Sequence, residues 1–156
     1  MGTGISWILL GILAALLLAA AWIDLRSRTI PNGLNLAIAL LAVPFWWATG
    51  LGLWPDAALH VGVAAAVFAT FALLFALGGM GGGDVKLIGA IALWLPWQAV
   101  VMLLVLMSLA GGVLTLAMVA RHKLARADGK LEIPYGVAIA AGGLWLIGQR
   151  FLYQFG

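Results

Sequence analysis

Long apolar stretches alternate with short polar ones along the chain, and this pattern predicts its secondary structure. The apolar runs approach the length of about 20 residues that a helix needs to cross a bilayer. The runs are unbroken and do not alternate with polar residues, so they favour membrane helices over a β-barrel. The predicted spans are residues 5–23, 34–49, 57–77, 87–95, 98–120 and 133–151.

The fourth predicted span is the shortest and follows an unusual glycine-rich run. Residues 78–86 contain five glycines, each of which costs roughly 1 kcal/mol relative to alanine inside a helix. This run is therefore predicted to end the third helix and to present Asp84 at the start of the next. Lys86 to Leu95 give roughly 15 Å of helix, about half a bilayer core. The segment is either a short span or a re-entrant half-helix.

Composition supports a membrane protein and narrows its chemistry. The chain has 156 residues, 65% hydrophobic and 8% charged, with a mean hydropathy of +1.17, whereas soluble domains carry about 25% charged residues. We expect an all-α polytopic membrane protein in which residues 1–156 form a single transmembrane domain. The absence of cysteine excludes disulfides and thiolate metal sites. His60 and His122 are isolated, so no metal or cofactor is predicted, and the net charge of +3 is too small to indicate nucleic acid.

The placement of basic residues predicts the orientation in the membrane. With six spans, the polar loops at residues 24–33, 78–86 and 121–132 fall on one side. These loops hold seven Lys and Arg residues, and only Arg150 lies near the other side. Because basic loops stay in the cytoplasm, we expect both termini on the extracytoplasmic side. A five-span count would place the loop at 121–132 outside, so six spans are preferred.

Two acidic residues border the apolar core at the predicted cytoplasmic end. Asp24 follows the first span and Asp84 follows the third, and carboxylates at such positions are costly enough to suggest function. If the two met between helices, the pKa of one would rise and they would share a proton. Such a pair can activate water and protonate a leaving amine. The alternatives are an interfacial anchor at Asp24 and a simple helix cap at Asp84.

Two polar segments hold these acids: Asp24-Leu25-Arg26-Ser27-Arg28-Thr29-Ile30-Pro31-Asn32 and Gly81-Gly82-Gly83-Asp84-Val85-Lys86-Leu87. They resemble the two motifs of the type IV prepilin peptidases, membrane aspartic proteases of the Gly-x-Gly-Asp class. Pro134-Tyr135-Gly136 resembles the C-terminal segment of the same family. The resemblance implies an endopeptidase of the cytoplasmic (inner) membrane. It would remove the basic leader of prepilin and pseudopilin precursors at the cytoplasmic face.

The resemblance also assigns expected roles to individual residues. Asp24 and Asp84 would be the catalytic pair, and Gly81 and Gly83 would shape the cleft. Three further motif positions are included as expected cleft residues: Asn32, Lys86 and Pro134. From the residues alone, Lys86 is interpreted as supporting the charged form of Asp84 or as contacting membrane phospholipid.

The chain departs from the larger family members in one respect. Those members carry a cytoplasmic insertion with paired Cys-x-x-Cys motifs, and many methylate the new N-terminus. This chain has no cysteine and no room for the insertion. It therefore resembles the short, peptidase-only branch that serves Flp/Tad-type pili, without methyltransferase activity.

Two other functions are compatible with the acid pair. One is an intramembrane protease of the presenilin kind, which the short chain and the lack of a Tyr-Asp pair in the first motif disfavour. The other is a small transporter that handles ions or protons through Asp24 and Asp84, or a non-catalytic membrane assembly protein.

Overall fold

The computed structural model describes residues 4–126 and 128–155, and every regular element in this part of the chain is helical. The elements are α1 (Gly4–Ser27), α2 (Asn32–Thr49), a π-helical turn (Leu53–Ala57), α3 (Ala58–Ala76), α4 (Gly82–Ala92), α5 (Trp97–Leu124) and α6 (Tyr135–Phe155). The all-helical prediction is therefore confirmed, and each of the six predicted segments corresponds to one α-helix.

Within residues 4–126 and 128–155, four segments are long and apolar enough to cross a membrane. They are Gly4–Ser27, Asn32–Thr49, Leu53–Ala76 and Trp97–Leu124. By contrast, α4 has 11 residues and measures roughly 16 Å. The multi-span character is thus clear by length and composition, whereas the six-span count and the side of the termini remain predictions.

The glycine-rich run ends α3 as expected, but α4 begins earlier than predicted. Gly78 has a positive φ of 77° and allows the chain to turn away after α3. Helix α4 then starts at Gly82 and not at residue 87. A Cβ at Gly82 would lie 3.3 Å from the Phe75 ring, and one at Gly83 would lie 3.2 Å from the backbone nitrogen of Ile30. Close packing therefore outweighs the low helix propensity of these glycines.

Helix α4 lies at the centre of the bundle. Eight of its 11 residues are buried, and α2, α3 and α6 all pack against it. Helix α6 in turn packs on α1 and α5. Helix α4 therefore links α2 and α3 to α6 and its neighbours, and its first turn carries Asp84 into the interior.

Two tryptophans attach α4 to α2. The indole N–H of Trp94 donates to the carbonyl oxygen of Ile38, and that of Trp46 donates to the carbonyl oxygen of Leu93, each at 2.8 Å. Leu93 directly follows α4, so its carbonyl has no partner within the helix. An unpaired carbonyl is costly in an apolar medium. The Trp46 bond pairs the Leu93 carbonyl and so allows α4 to end in the interior of the bundle.

We predict that Trp94→Phe destabilises the protein by about 1–3 kcal/mol, because it removes a buried hydrogen bond between α4 and α2 and replaces a buried indole by a smaller ring. Trp54→Phe is the matched control, since Trp54 is 84% exposed whereas Trp94 is 2% exposed. Thermal unfolding of both variants in the same detergent checks this expectation. Equal loss of stability in the two variants would contradict it.

Candidate active site

The two aspartates lie on different helices, and both are buried in the bundle. Asp24 is in the last turn of α1, and Asp84 is in the first turn of α4. Their exposed fractions are 3% and 8%. The sequence placed Asp24 just after the first span, but α1 continues to Ser27 and carries the side chain inward. Both carboxyl groups are therefore removed from bulk solvent.

The start of α6 brings the two carboxyl groups together. The backbone N–H of Gly136 faces both Asp24 and Asp84, and that of Val137 also faces Asp24. A Cβ at Gly136 would lie 2.7 Å from Asp24 Oδ2 and 2.7 Å from Ile30 Cδ1. Only glycine allows this approach. The first turn of a helix has free N–H groups and a positive dipole end, so α6 offers a favourable site for negative charge.

The carboxyl groups open onto a cavity of about 340 Å³. It is lined by Asp24, Arg28, Thr29, Ile30, Asn32, Gly81, Gly82, Gly83 and Asp84. A second cavity of about 420 Å³ shares both aspartates and extends to Lys130, Glu132 and Tyr135. The three polar loops that the sequence grouped on one side therefore meet at one end of the bundle.

Burial dominates the electrostatics of Asp84, which lies outside the four candidate spans. Desolvation, followed by the negative charge of Asp24, raises the pKa of Asp84 to about 7. The backbone N–H groups of Gly81 and Gly136 act in the opposite direction on the same pKa. The positive end of the α4 dipole also favours the charged form of Asp84, but burial outweighs this contribution. Asp84 therefore gains and loses its proton near neutral pH.

Arg28 is a site residue that the sequence reasoning did not single out. It adopts a positive φ of 55°, and its charge acts on the Asp24 carboxylate. Within the described residues, its buried Nη1 atom has no hydrogen-bond partner. Its position four residues after Asp24, one helical turn away, was the available signal. Arg28 thus places a positive charge in the lining of both cavities.

The motif residues Asn32 and Lys86 contact each other, although the two lie 54 positions apart. Lys86 Nζ donates to Asn32 Oδ1 at 2.7 Å. Asn32 lines the cavity that contains the aspartates, whereas Lys86 lies outside that lining and faces the side of the bundle. The pair therefore marks the edge of the site.

The predicted cleft glycines both lie in the cavity wall. Gly81 directly precedes α4, and a Cβ there would come within 3.0 Å of Asp84 Oδ2. Gly83 contacts the backbone of Ile30. Pro134 is buried and precedes α6 by one residue, and its carbonyl accepts from the Val137 N–H at 3.1 Å. Pro134 thus shapes the start of α6 without lining either cavity that contains the aspartates.

The arrangement suits acid–base chemistry on a bound molecule. Asp84 can hold a proton, whereas N–H groups and the Arg28 guanidinium face Asp24. One carboxyl group could therefore take a proton from a water between them, and the other could protonate a leaving group. Among the described residues, no group of three or more His, Cys, Asp or Glu side chains could hold a metal ion.

The sequence matches a known protein family. A profile of the type IV leader peptidase family matches residues 11–116. No solved structure gives a significant match to the chain.

Several curated relatives carry the name prepilin leader peptidase/N-methyltransferase. The protein from Aeromonas hydrophila is 33% identical over 145 residues, which cover 87% of this chain and 49% of the relative. The protein from Neisseria gonorrhoeae is 33% identical over 152 residues, covering 92% and 50%. The protein from Burkholderia pseudomallei (strain 1026b) is 29% identical over 141 residues, covering 84% and 43%.

The chain thus spans about half the length of these relatives. The family match covers most of the chain, including both aspartates, and ends before Gly136. On this match and these identities, the chain belongs to the type IV leader peptidase family.

Proposed function

We propose that the protein is a membrane aspartic endopeptidase that removes the basic leader from prepilin-like precursors. The observation that carries this proposal is the pair of buried carboxyl groups, Asp24 and Asp84, gathered at one cavity by the N-terminus of α6. The names of the curated relatives support the substrate class. The short, peptidase-only Flp/Tad branch fits a chain without cysteine.

The proposed reaction uses the two carboxyl groups in opposite protonation states. We assign the ionised role to Asp24, because Arg28 and the N–H groups of Gly136 and Val137 offset part of the cost of burying a charge there. It accepts a proton from a water, whose oxygen bonds to the carbonyl carbon of the scissile peptide. Asp84 supplies its proton to the carbonyl oxygen. As the C–N bond of this tetrahedral adduct breaks, the proton on Asp24 passes to the leaving amine. One hydroxyl of the adduct returns its proton to Asp84 as the new carboxyl group forms, so both aspartates regain their starting states.

The proposed membrane arrangement has six crossing segments, of which residues 87–95 are the short one, so Asp84 lies just outside it at its cytoplasmic end. The loops that join α1 to α2, α3 to α4 and α5 to α6 then face the cytoplasm, and both termini face the opposite side. The seven basic residues in these loops support this orientation, as does the meeting of the three loops at one end of the bundle. Residues 1–156 act as one transmembrane peptidase unit in the inner membrane, with its site at the cytoplasmic face.

Replacing either aspartate by asparagine is expected to reduce leader removal by about a hundredfold or more, because each substitution deletes one half of the acid–base pair. The measurement is co-expression with a tagged precursor, followed by separation of the uncleaved and cleaved forms. Asp56→Asn is the matched control, since Asp56 is exposed and lies in the turn before α3. Cleavage that persists in Asp24→Asn or Asp84→Asn would rule out the proposed mechanism.

The pH dependence follows from the raised pKa of Asp84. Below about 7 the Asp84 carboxyl is protonated and can act as the acid. Above that pH it loses the proton, so the cleavage rate is expected to fall as pH rises through 7 to 9. Initial rates with the purified protein in detergent test this, with tryptophan fluorescence recorded at each pH to show that the fold persists. A rate that climbs steadily to pH 9 would contradict the assignment of Asp84 as the acid.

Gly136→Ala is expected to lower the cleavage rate by about a hundredfold, because the new methyl group displaces Asp24 or α6 from the reacting geometry. Gly148→Ala in the same helix is the control, since a Cβ there meets nothing within 4 Å. Rates for both variants are compared with their thermal stabilities. Similar rates in the two variants would show that the close approach at Gly136 is dispensable.

A further inference from the structure

A separate and larger groove runs along the side of the bundle. Its volume is about 600 Å³, and α2 and α3 form its walls while α4 forms its floor. The lining is mostly apolar, with small residues on all three helices. These small residues are Gly33, Ala39, Ala64, Ala65, Gly89 and Ala90. Small side chains let another helix approach closely within a membrane.

Helix α3 leaves this groove accessible from the side. Ala64 is its only buried residue, and the groove-facing Val61 and Phe68 are 49% and 43% exposed. Helix α2 contributes the opposite wall through Leu36, which is 58% exposed. An apolar segment in the membrane could therefore enter the groove between α2 and α3 without crossing water.

Asn35 provides a polar contact within this apolar groove. Its exposed fraction is 4%, and its Nδ2 donates to the carbonyl oxygen of Gly83 at 3.1 Å. Its Oδ1 is buried, and no partner for it is present among the described residues. An unpaired buried acceptor costs about 1–3 kcal/mol. The groove wall thus holds an unpaired acceptor that is covered in this structure, and a bound N–H donor would satisfy it once neighbouring side chains move aside.

The groove adjoins the site that contains the aspartates, because Asn32 lines both the groove and the 340 Å³ cavity. Asn35 binds Gly83, which also lines that cavity. A chain lying in the groove would therefore reach the carboxyl groups by passing Asn32.

We infer that this groove binds the apolar helix of the precursor, and that Asn35 Oδ1 accepts a backbone N–H where that helix unwinds before the cut. The inference rests on the proposed function and specifies how the substrate is held. Peptide hydrolysis requires an extended backbone, and unwinding one turn frees N–H groups that have no water partner in an apolar groove. A lipid acyl chain could fill the groove but has no donor for Asn35, so a helix satisfies both features.

Cysteine cross-linking tests the position of the substrate, since the native chain has no cysteine. Leu36→Cys and Ala65→Cys place single thiols on the two walls of the groove. Leu116→Cys, at a position on α5 that is 72% exposed, is the control. The probe is a tagged precursor with a basic leader, an apolar helix and one cysteine in the first turns of that helix. We expect disulfide formation with the two groove variants and none with Leu116→Cys.

A steric variant gives a second, functional readout. Ala65→Trp fills the groove, whereas Ala66→Trp places the same bulk about 100° around α3, at an exposed position outside the lining. Ala65→Trp is expected to raise KM for the precursor about tenfold with little change in kcat. Ala66→Trp should leave both constants unchanged.

The outcomes separate the groove from the proposed function. Cleavage by the wild type without groove cross-links, and with an unchanged KM in Ala65→Trp, would overturn the docking site alone. Groove cross-links to a precursor that the wild type does not cleave would support the docking site and overturn the peptidase proposal. Labelling of Ala65→Cys by a photoreactive phospholipid but not by the precursor would identify lipid as the occupant and overturn the inference.

Discussion

The structure depends on the close contact between the first turn of α4 and the loop that follows α1. Gly83 has no side chain, so the backbone of α4 approaches the backbone of Ile30 to a distance that a Cβ would not permit. Asn35 adds a hydrogen bond to the Gly83 carbonyl from α2. Because Asp24 precedes Ile30 and Asp84 follows Gly83, this contact and the approach of Gly136 together place two distant carboxyl groups in one cavity.

Burying two carboxyl groups in so apolar a protein costs solvation free energy, and backbone N–H groups at helix ends offset part of this cost. The N-termini of α4 and α6 both point N–H groups at the carboxyl pair. Arg28, in the loop after α1, adds a positive charge that acts on Asp24. The compensation is incomplete, since burial still raises the pKa of Asp84. An incompletely stabilised carboxylate is a useful acid near neutral pH, so the energetic cost and the chemistry have the same origin.

Much of this arrangement could be predicted from the sequence, for identifiable reasons. Helix positions follow from unbroken apolar runs, and the two acids stand out because membrane segments rarely contain them. Helix α4 was placed too late because propensity argues against Gly82 and Gly83 in a helix, whereas tertiary packing favours them. The approach of Gly136 to Asp24 joins residues 112 positions apart, and no local pattern encodes it. The resemblance included Gly136 without indicating what it touches.

Trp46 likewise could not be interpreted from its position alone. Trp46 and Trp47 both lie near a predicted span end, where tryptophans often form an aromatic belt at the membrane surface. Trp47 fits that interpretation at 87% exposure, but Trp46 donates to the end of α4. The sequence places the two residues side by side and does not indicate which one turns inward.

The two helices that flank α4 are held against it in different ways. The tryptophan bonds join α2 to α4, so separating these two helices would leave buried polar groups unpaired. Helix α3 instead packs on α4 through Phe75 and Phe68, whose rings lie against Gly82 and Gly89. A Cβ at either glycine would come within 3.3 Å of these rings. A side chain at either position would therefore push α3 away from the helix that carries Asp84.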